Sequence, residues 1–294
     1  MEHSIYIMRL SYNAALPLED GPAAHDRLGE PRAYVPITSV PGTEEEAAAL
    51  SAWVNTHQSM FLAIGAASTA LTLALNRLED GDVPAATRFL SFARDLRLAS
   101  SVYTYLPTVD REVYERFLRP AMKLVRSSFS GVSSREAIAF SLLIKRARAA
   151  APVGVSASQH HLREFYQARK ECLDADATWW KMHLEAMHRM VRAPVSLAQQ
   201  EFRRSVKEEG LNKSYSEFLA TSLQVPESLD DYDRFFGCER GPVTSKEYVA
   251  NLDLSLSLSD KHISAEEPYS RYRAALPGQV LRLCREGGCQ WAIP

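Results

Sequence analysis

The chain has 294 residues, of which 46% are hydrophobic and 24% charged, and its formal net charge is −2. This length suits one large domain or two small ones, and the composition is ordinary for a globular protein. A charge so close to zero argues against nucleic acid or an anionic membrane as a partner, and we expect no apolar run as long as the roughly 18 residues of a membrane span. Because residues 1–6 lack a basic segment followed by an apolar one, we expect a cytoplasmic protein.

Proline and glycine repeatedly interrupt residues 1–43, which predicts an irregular N-terminal arm or lid. A helix is predicted from residue 44 to about residue 78, with Thr43 as its N-cap. Its apolar stripe includes Trp53 and His57, so this histidine faces inward. One interpretation of His57 is a core residue that is bonded to a carbonyl one turn back.

Further helices are predicted along the rest of the chain. They cover residues 84–101, 110–125 with an interruption at Pro120, 135–150, a segment through Phe165 to near Pro194, 197–209 and 214–224. Residues 252–258 alternate between apolar and polar and could form a short strand. Strand–helix alternation and glycine-rich phosphate loops are absent, which argues against an α/β nucleotide-binding fold. We therefore predict an all-α protein, in which residues 44–294 form a single domain.

Residues 178–191 contain neither glycine nor proline, and their apolar residues recur at helical spacing. One stripe of this helix consists of Trp179 or Trp180, His183, Met187 and Met190. His188 follows His183 by five residues and falls on the solvated side. The two histidines therefore cannot bind one metal ion from this helix. An inward histidine such as His183 is either a hydrogen-bonded core residue or a ligand.

The chain has four cysteines, at positions 172, 238, 284 and 289. Cys284 and Cys289 are separated by four residues, but no second pair of metal ligands is close to them in sequence. We therefore predict free thiols in a reducing compartment rather than a structural metal site.

The order Trp-x-x-x-His-x-x-x-x-His-Arg-Met at residues 179–190 resembles the haem-ligating helix of the tryptophan 2,3-dioxygenases and related histidine-ligated, haem-dependent aromatic oxygenases. The resemblance implies an all-α helical bundle that encloses a b-type haem (haem b), with His183 as the proximal ligand of the iron. It also implies that Trp179 and Met187 contact this cofactor. Iron held by a neutral imidazole keeps its opposite face open for dioxygen or hydrogen peroxide.

The tripeptide His57-Gln58-Ser59 on the first long helix extends this resemblance, because the family places a distal histidine there. It implies that His57 is the catalytic acid or base on the distal side of the haem. By the same resemblance, Trp53, Tyr114 and Phe117 line the pocket for an aromatic amino acid substrate.

Two features differ from the dioxygenases. In that family an arginine directly follows the phenylalanine and binds the substrate carboxylate, whereas here Leu118 follows Phe117. Either Arg116 or Arg119 would take this role, and we favour Arg119. The family's Gly-Thr-Gly-Gly-type loop after the proximal helix is replaced by residues 192–197, which contain no glycine. This difference argues against cleavage of the tryptophan ring.

Within the same superfamily, the chain is similar in length to the bacterial haem-dependent L-tyrosine 3-hydroxylases of secondary-metabolite pathways such as antibiotic biosynthesis. The expected reaction is hydroxylation of L-tyrosine to 3-hydroxytyrosine (L-DOPA), and the alternative is oxygenation of tryptophan or an alkylated tryptophan. Two further possibilities are a haem-binding sensor or carrier without turnover and a helical interaction protein without haem. The resemblance also suggests a homo-oligomer, since residues 1–43 have little core of their own.

Overall fold

The computed structural model describes residues 41–104, 109–125, 135–152, 157–192, 195–215, 217–218 and 270–287, and every structural statement below refers to these residues. They form α1 (Glu44–Glu79), α2 (Val83–Thr104), α3 (Arg111–Val113), a π-helical turn (Tyr114–Leu118), α4 (Arg119–Val125), α5 (Arg135–Ala149), α6 (Gln159–Met190), α7 (Leu197–Glu208) and α8 (Ser270–Gly287). The described part of the chain contains no β-strand, so the predicted all-α class is confirmed. Nearly all of the arm, the strand at 252–258 and most of the helix at 214–224 lie outside it.

Helices α1 and α2 form an antiparallel hairpin with a short connection. The Thr43 hydroxyl accepts a hydrogen bond from the Glu46 N–H at 3.1 Å, which confirms Thr43 as the N-cap. At the other end of α1 the chain turns at Gly81, whose φ of 81° is accessible mainly to glycine. The Asp82 carboxylate then accepts from the Ala85 N–H at 3.0 Å and caps α2.

Small side chains fill the space between α1 and α2. Four alanines of α1 are completely buried: Ala63, Ala66, Ala67 and Ala70. They belong to the larger hydrophobic cluster, in which Phe89 and Leu96 of α2 and Leu276 of α8 are also buried. Since an alanine side chain is a single methyl group, a face of alanines lets a neighbouring helix approach closely.

Helix α1 also corrects one expectation from the sequence. It contains an 18-residue window that is long and apolar enough, by composition, to cross a membrane. However, 71% of this window is buried inside the protein, as in the central helix of a helical bundle. Its hydrophobic character therefore follows from burial on several sides.

Helix α6 packs along α2 and runs parallel to it. Arg94 of α2 donates to Glu171 of α6, and three residues later Arg97 pairs with Asp176 at 2.7 Å. Because both sets of numbers rise together, the two helices point in the same direction. The same end of α2, near Thr104, therefore lies beside the second half of α6 and the first half of α1.

The segment from α3 to α4 is a continuous helical stretch, so the predicted interruption at Pro120 is wrong. Asp110 caps its start by accepting from the N–H of Val113 and of the residue before it. The stretch widens into a π-helical turn, in which the Arg119 N–H bonds to the Tyr114 carbonyl. Proline lacks an N–H and crowds the preceding turn, and the wider π turn directly before Pro120 relieves this conflict.

The structure contains one helix, α8, that the sequence analysis did not predict, and it confirms the predicted free thiol at one cysteine. Helix α8 was not predicted, because Pro277 and Gly278 lie in its interior and normally mark a break. Cys172, on α6, is a free and buried thiol, as predicted. Burial raises the pKa of Cys172 to about 12, so this thiol stays protonated and unreactive at neutral pH.

Candidate functional site

His183 lies in the second half of α6, with its ring against Trp179. The two ring planes are parallel within 5° and their centroids are 5.0 Å apart. Trp179 is 4% exposed and Trp180 is 37% exposed, so the inward stripe of this helix runs through Trp179. His188 is exposed, as the helical spacing predicted.

The imidazole of His183 makes no hydrogen bond or ion pair with any described residue, which leaves its ring nitrogens available. Burial lowers the pKa of His183 to about 4, and the nearby charge of Arg97 acts in the same direction. The ring is therefore neutral at physiological pH. This is the protonation state in which an imidazole binds a metal.

His57 lies on α1 and has one of its two nitrogens engaged. Its Nδ1 is 2.7 Å from the Trp53 carbonyl oxygen, and its ring lies 4.2 Å from the Trp53 ring. Since a carbonyl can only accept, Nδ1 carries the hydrogen and Nε2 keeps a free lone pair. The bond to a carbonyl one turn back is the one considered in the sequence analysis, and it leaves Nε2 free to act.

The two histidines come from different helices but are near enough to interact electrostatically. Burial is the main reason that the pKa of His57 is lowered to about 4, and electrostatic interaction with His183 lowers it further, against the opposing bond to Trp53. Helices α1 and α6 pack on the same helix, α2, and Trp53 of α1 and Met190 of α6 belong to one hydrophobic cluster, which places both histidines in one region of the bundle. We call His57 and His183 the histidine pair.

An apolar wall adjoins the histidine pair. It is the second hydrophobic cluster, which contains Trp53 of α1, Phe117 of the π turn and Met190 of α6. Tyr114 packs against this cluster and is half-buried, and burial raises the pKa of its phenol, which is therefore neutral at pH 7. The predicted pocket residues are thus brought to one region, and Tyr114 and Phe117 both belong to the π turn, a feature frequent at functional sites. Met187 lies half-buried one turn after His183.

The two candidate arginines occupy different environments. The Arg116 side chain is 56% exposed and pairs with Glu46 at 3.4 Å. The Arg119 side chain is 12% exposed and donates through Nη2 to the Val195 carbonyl at 2.8 Å. Arg119 is therefore the inward one of the two, although part of its guanidinium already holds the chain that follows α6. Its binding of a carboxylate stays a prediction.

Sequence reasoning missed Arg97, which is one of the few charged residues buried in the described part of the chain. The sequence does indicate that Arg97 is buried, because helical spacing places it on the same face of α2 as Ala93, Ser100 and Ser101. An arginine among small residues on an inward face predicts a buried ion pair. Its partner, Asp176, lies one turn before Trp179 on α6.

These residues fit a bound cofactor. The indole Nε1–H of Trp179 is buried and has no acceptor among the described residues. Buried indole donors normally find a partner, so an acceptor on a bound group would satisfy it. A neutral imidazole with a free nitrogen, next to apolar aromatic walls, is a donor that haem iron takes in proteins, and a second neutral imidazole lies in the same region.

The fold and this arrangement define an all-α protein with two inward histidines that form a candidate cofactor site. A family model described as the SfmD 3-methyl-L-tyrosine peroxygenase matches residues 6–165, just over half of the chain. The chain belongs to this family of peroxygenases and is therefore an oxidoreductase. The matched residues include Trp53, His57 and the π turn, and end before His183. No curated protein and no solved structure gives a significant match.

Proposed function

We propose that the protein is a haem-dependent peroxygenase that hydroxylates a tyrosine-type amino acid at the ring carbon ortho to the phenol. In this reaction a ring C–H and hydrogen peroxide give a ring C–OH and water. The substrate candidates are L-tyrosine, which the sequence analysis favours, and 3-methyl-L-tyrosine, which the family is named for. The observation that carries the proposal is the histidine pair, two neutral imidazoles on separate helices of a peroxygenase-family chain.

His183 would hold haem b through a ring nitrogen, and Trp179 and Met187 would contact the cofactor beside it. Haem, when bound, supplies an iron centre that activates peroxide for oxygen transfer. The contribution of the chain is a neutral ligand in a fixed orientation, because the parallel indole of Trp179 restricts rotation of the His183 ring.

His57 would move the proton that peroxide activation requires. Its Nε2 carries a free lone pair and can accept a proton from the peroxide. The protonated ring is a stronger acid than an ordinary imidazolium, since burial lowers the pKa of His57 from 6.5 to about 4. It would therefore return the proton readily to the departing hydroxyl oxygen, which leaves as water.

The second hydrophobic cluster would hold the aromatic ring of the substrate. Trp53 and Phe117 provide apolar surface, and the neutral phenol of Tyr114 can donate a hydrogen bond. Arg119 already donates to the Val195 carbonyl and lies 3.9 Å from the Glu115 carboxylate, and it would bind the substrate carboxylate with its remaining N–H groups.

A haem-binding sensor or carrier is the second candidate, and one observation favours it. The free Nε2 of His57 is itself a possible iron ligand, because it is unprotonated and close to His183. Ligation by both histidines would close the position that peroxide needs. This candidate predicts a six-coordinate, low-spin spectrum that no aromatic amino acid changes.

The deciding experiment is the absorption spectrum of protein expressed with a haem precursor. We expect a Soret band in the wild type and in His188→Ala, and its loss or shift in His183→Ala. His188 is the matched control, because it is an exposed histidine on the same helix. A wild type without a Soret band after reconstitution with haem would refute the proposal.

The substrate is tested on the same sample by adding L-tyrosine, 3-methyl-L-tyrosine and L-tryptophan. A spectral change with a tyrosine, together with a product that gains one oxygen atom when peroxide is supplied, supports the hydroxylase. A response to tryptophan alone would replace the proposed tyrosine hydroxylase with a tryptophan-type oxygenase.

Deletion of residues 1–40, followed by light scattering, tests the further proposal that the arm assembles a homo-oligomer.

A further inference from the structure

Arg97 is a buried cation between two aromatic rings. Arg97 is 3% exposed. Its guanidinium carbon lies 4.4 Å from the ring centroid of Phe140 and 4.0 Å from the ring centroid of Trp179. Asp176 accepts from its Nη2 at 2.7 Å and from its Nε at 3.1 Å. Burial lowers the pKa of Arg97 to about 10, which still leaves the guanidinium charged at neutral pH.

The indole of Trp179 connects this cation with the histidine pair. On α6, Asp176 lies one turn before Trp179 and His183 lies one turn after it. The guanidinium held by Asp176 is over the indole, and the indole is parallel to the imidazole. The indole therefore contacts both Arg97 and His183, and a cation–π contact of this kind restricts the plane of the ring.

We propose that Arg97 and Asp176 are positioning residues for His183, which hold the Trp179 indole flat against the imidazole and set the electric field there. The role of His183 as an iron ligand rests on the proposed function, whereas the positioning of its ring does not. Arg97 makes no hydrogen bond to the imidazole in the described part of the chain, so it acts through Trp179 and through its charge.

The haem-free protein tests the positioning directly. In the wild type we expect nuclear Overhauser contacts between the Trp179 indole protons and the His183 ring protons. Arg97→Met should lose them, and Arg97→Lys should weaken them, because the ammonium keeps the charge but not the planar stack. Arg94→Met is the matched control, since Arg94 pairs with Glu171 across the same two helices without contacting Trp179.

Unchanged contacts in Arg97→Met and Arg97→Lys would overturn the proposal, as would equal loss in Arg94→Met. If circular dichroism shows that Arg97→Met does not fold, the nuclear Overhauser contacts of Arg97→Lys decide whether the proposal holds. This readout is independent of haem. A wild type with the expected contacts but no Soret band would therefore refute the proposed function and leave the positioning intact.

The haem-loaded protein tests the electric field. Arg97→Met removes a positive charge near His183 and should lower the midpoint reduction potential, whereas Asp176→Asn removes a negative charge and should raise it. A purely structural ion pair predicts that both variants shift the potential in the same direction, through the same loosening of α6. Shifts of equal sign, or none, would overturn the assignment of the field to this pair.

Discussion

The two ends of the α1–α2 hairpin are built from different residues. We call the residues near Gly81 the turn end and those around the histidine pair the histidine end. At the turn end, α1 contributes the completely buried Ala70 and Leu71, against Phe89 and Leu90 of α2. At the histidine end, the same two helices contribute His57, Trp53 and Arg97.

The difference shows how one long helix separates stability from chemistry. The turn end buries apolar surface without desolvating charged groups, so its burial contributes to stability at little electrostatic cost. The histidine end buries imidazoles, a guanidinium and an unpaired indole N–H, each of which costs free energy unless a partner satisfies it. Substitutions at the two ends should therefore differ in which property they change, stability or chemistry, as well as in the size of the effect.

The largest expected effect on the free energy of unfolding comes from a substitution at the turn end. Phe89→Ala removes a fully buried ring from the larger cluster and should lower the free energy of unfolding by about 3–5 kcal/mol. Urea unfolding followed by circular dichroism measures it. The Soret band of the folded, haem-loaded variant should match the wild type.

Tyr166→Ala, at an aromatic residue that is largely exposed, is the control and should change stability by less than about 1 kcal/mol. A shifted Soret band in Phe89→Ala would contradict the separation of the two ends.

At the histidine end the expected effect depends on pH. Burial lowers the pKa of His57 and of His183 from 6.5 to about 4, so between these values the unfolded state binds more protons than the folded state. The free energy of unfolding of the haem-free protein should therefore fall as the pH is lowered from 6.5 to 4, by roughly 1–3 kcal/mol for each histidine.

Urea unfolding at a series of pH values measures this slope. It should flatten in the double variant His57→Gln, His183→Gln, and persist in His188→Gln, which replaces an exposed histidine of the same helix. An equal slope in the double variant would show that groups other than His57 and His183 cause the acid sensitivity.

A smaller effect is expected for substrate binding. Arg119→Ala should weaken the spectral response to a tyrosine by about tenfold, the loss expected for one charged hydrogen bond. Arg116→Ala, at the exposed neighbour, should leave the response unchanged. A larger loss in Arg116→Ala would reverse the assignment of the two arginines.

The smallest effect is expected for an ion pair on the surface of the turn end. Arg146 and Glu79 are 2.6 Å apart, with side chains 50% and 62% exposed. Arg146→Ala should change the free energy of unfolding by less than about 1 kcal/mol, since exposed pairs are solvated and screened. A loss comparable to that of Phe89→Ala would show that position near the turn matters more than burial.

Much of this fold could be predicted from local sequence, because capping residues and helical spacing are local signals. Thr43 and the glutamates after it define the start of α1, and the spacing around His183 indicates which face of α6 is buried. The closeness of His57 and His183 could not be predicted by spacing alone. It depends on α2, which packs against both helices, and a single sequence gives helix pairing only through a resemblance to a known family.

Features that tertiary packing decides were the ones missed. Pro277 and Gly278 argue against a helix locally, yet α8 runs through both and buries Leu276 and Val280 in the larger cluster. The π turn before Pro120 has no sequence signature of its own. Arg97 could have been found, because a charged residue among small residues on an inward face needs a buried partner.

The π turn has a consequence for how this family can diversify. A π turn accommodates one residue more than the α-helical turn that it replaces. Deletion of one codon within residues 114–118 would restore an ordinary helix and rotate Tyr114 and what precedes it by about 100° relative to Arg119. The wall of the proposed pocket would then present different side chains to a substrate, while α1, α2 and α6 keep their pairing. A change of length, as well as substitution, is therefore a route by which such enzymes can acquire new substrates.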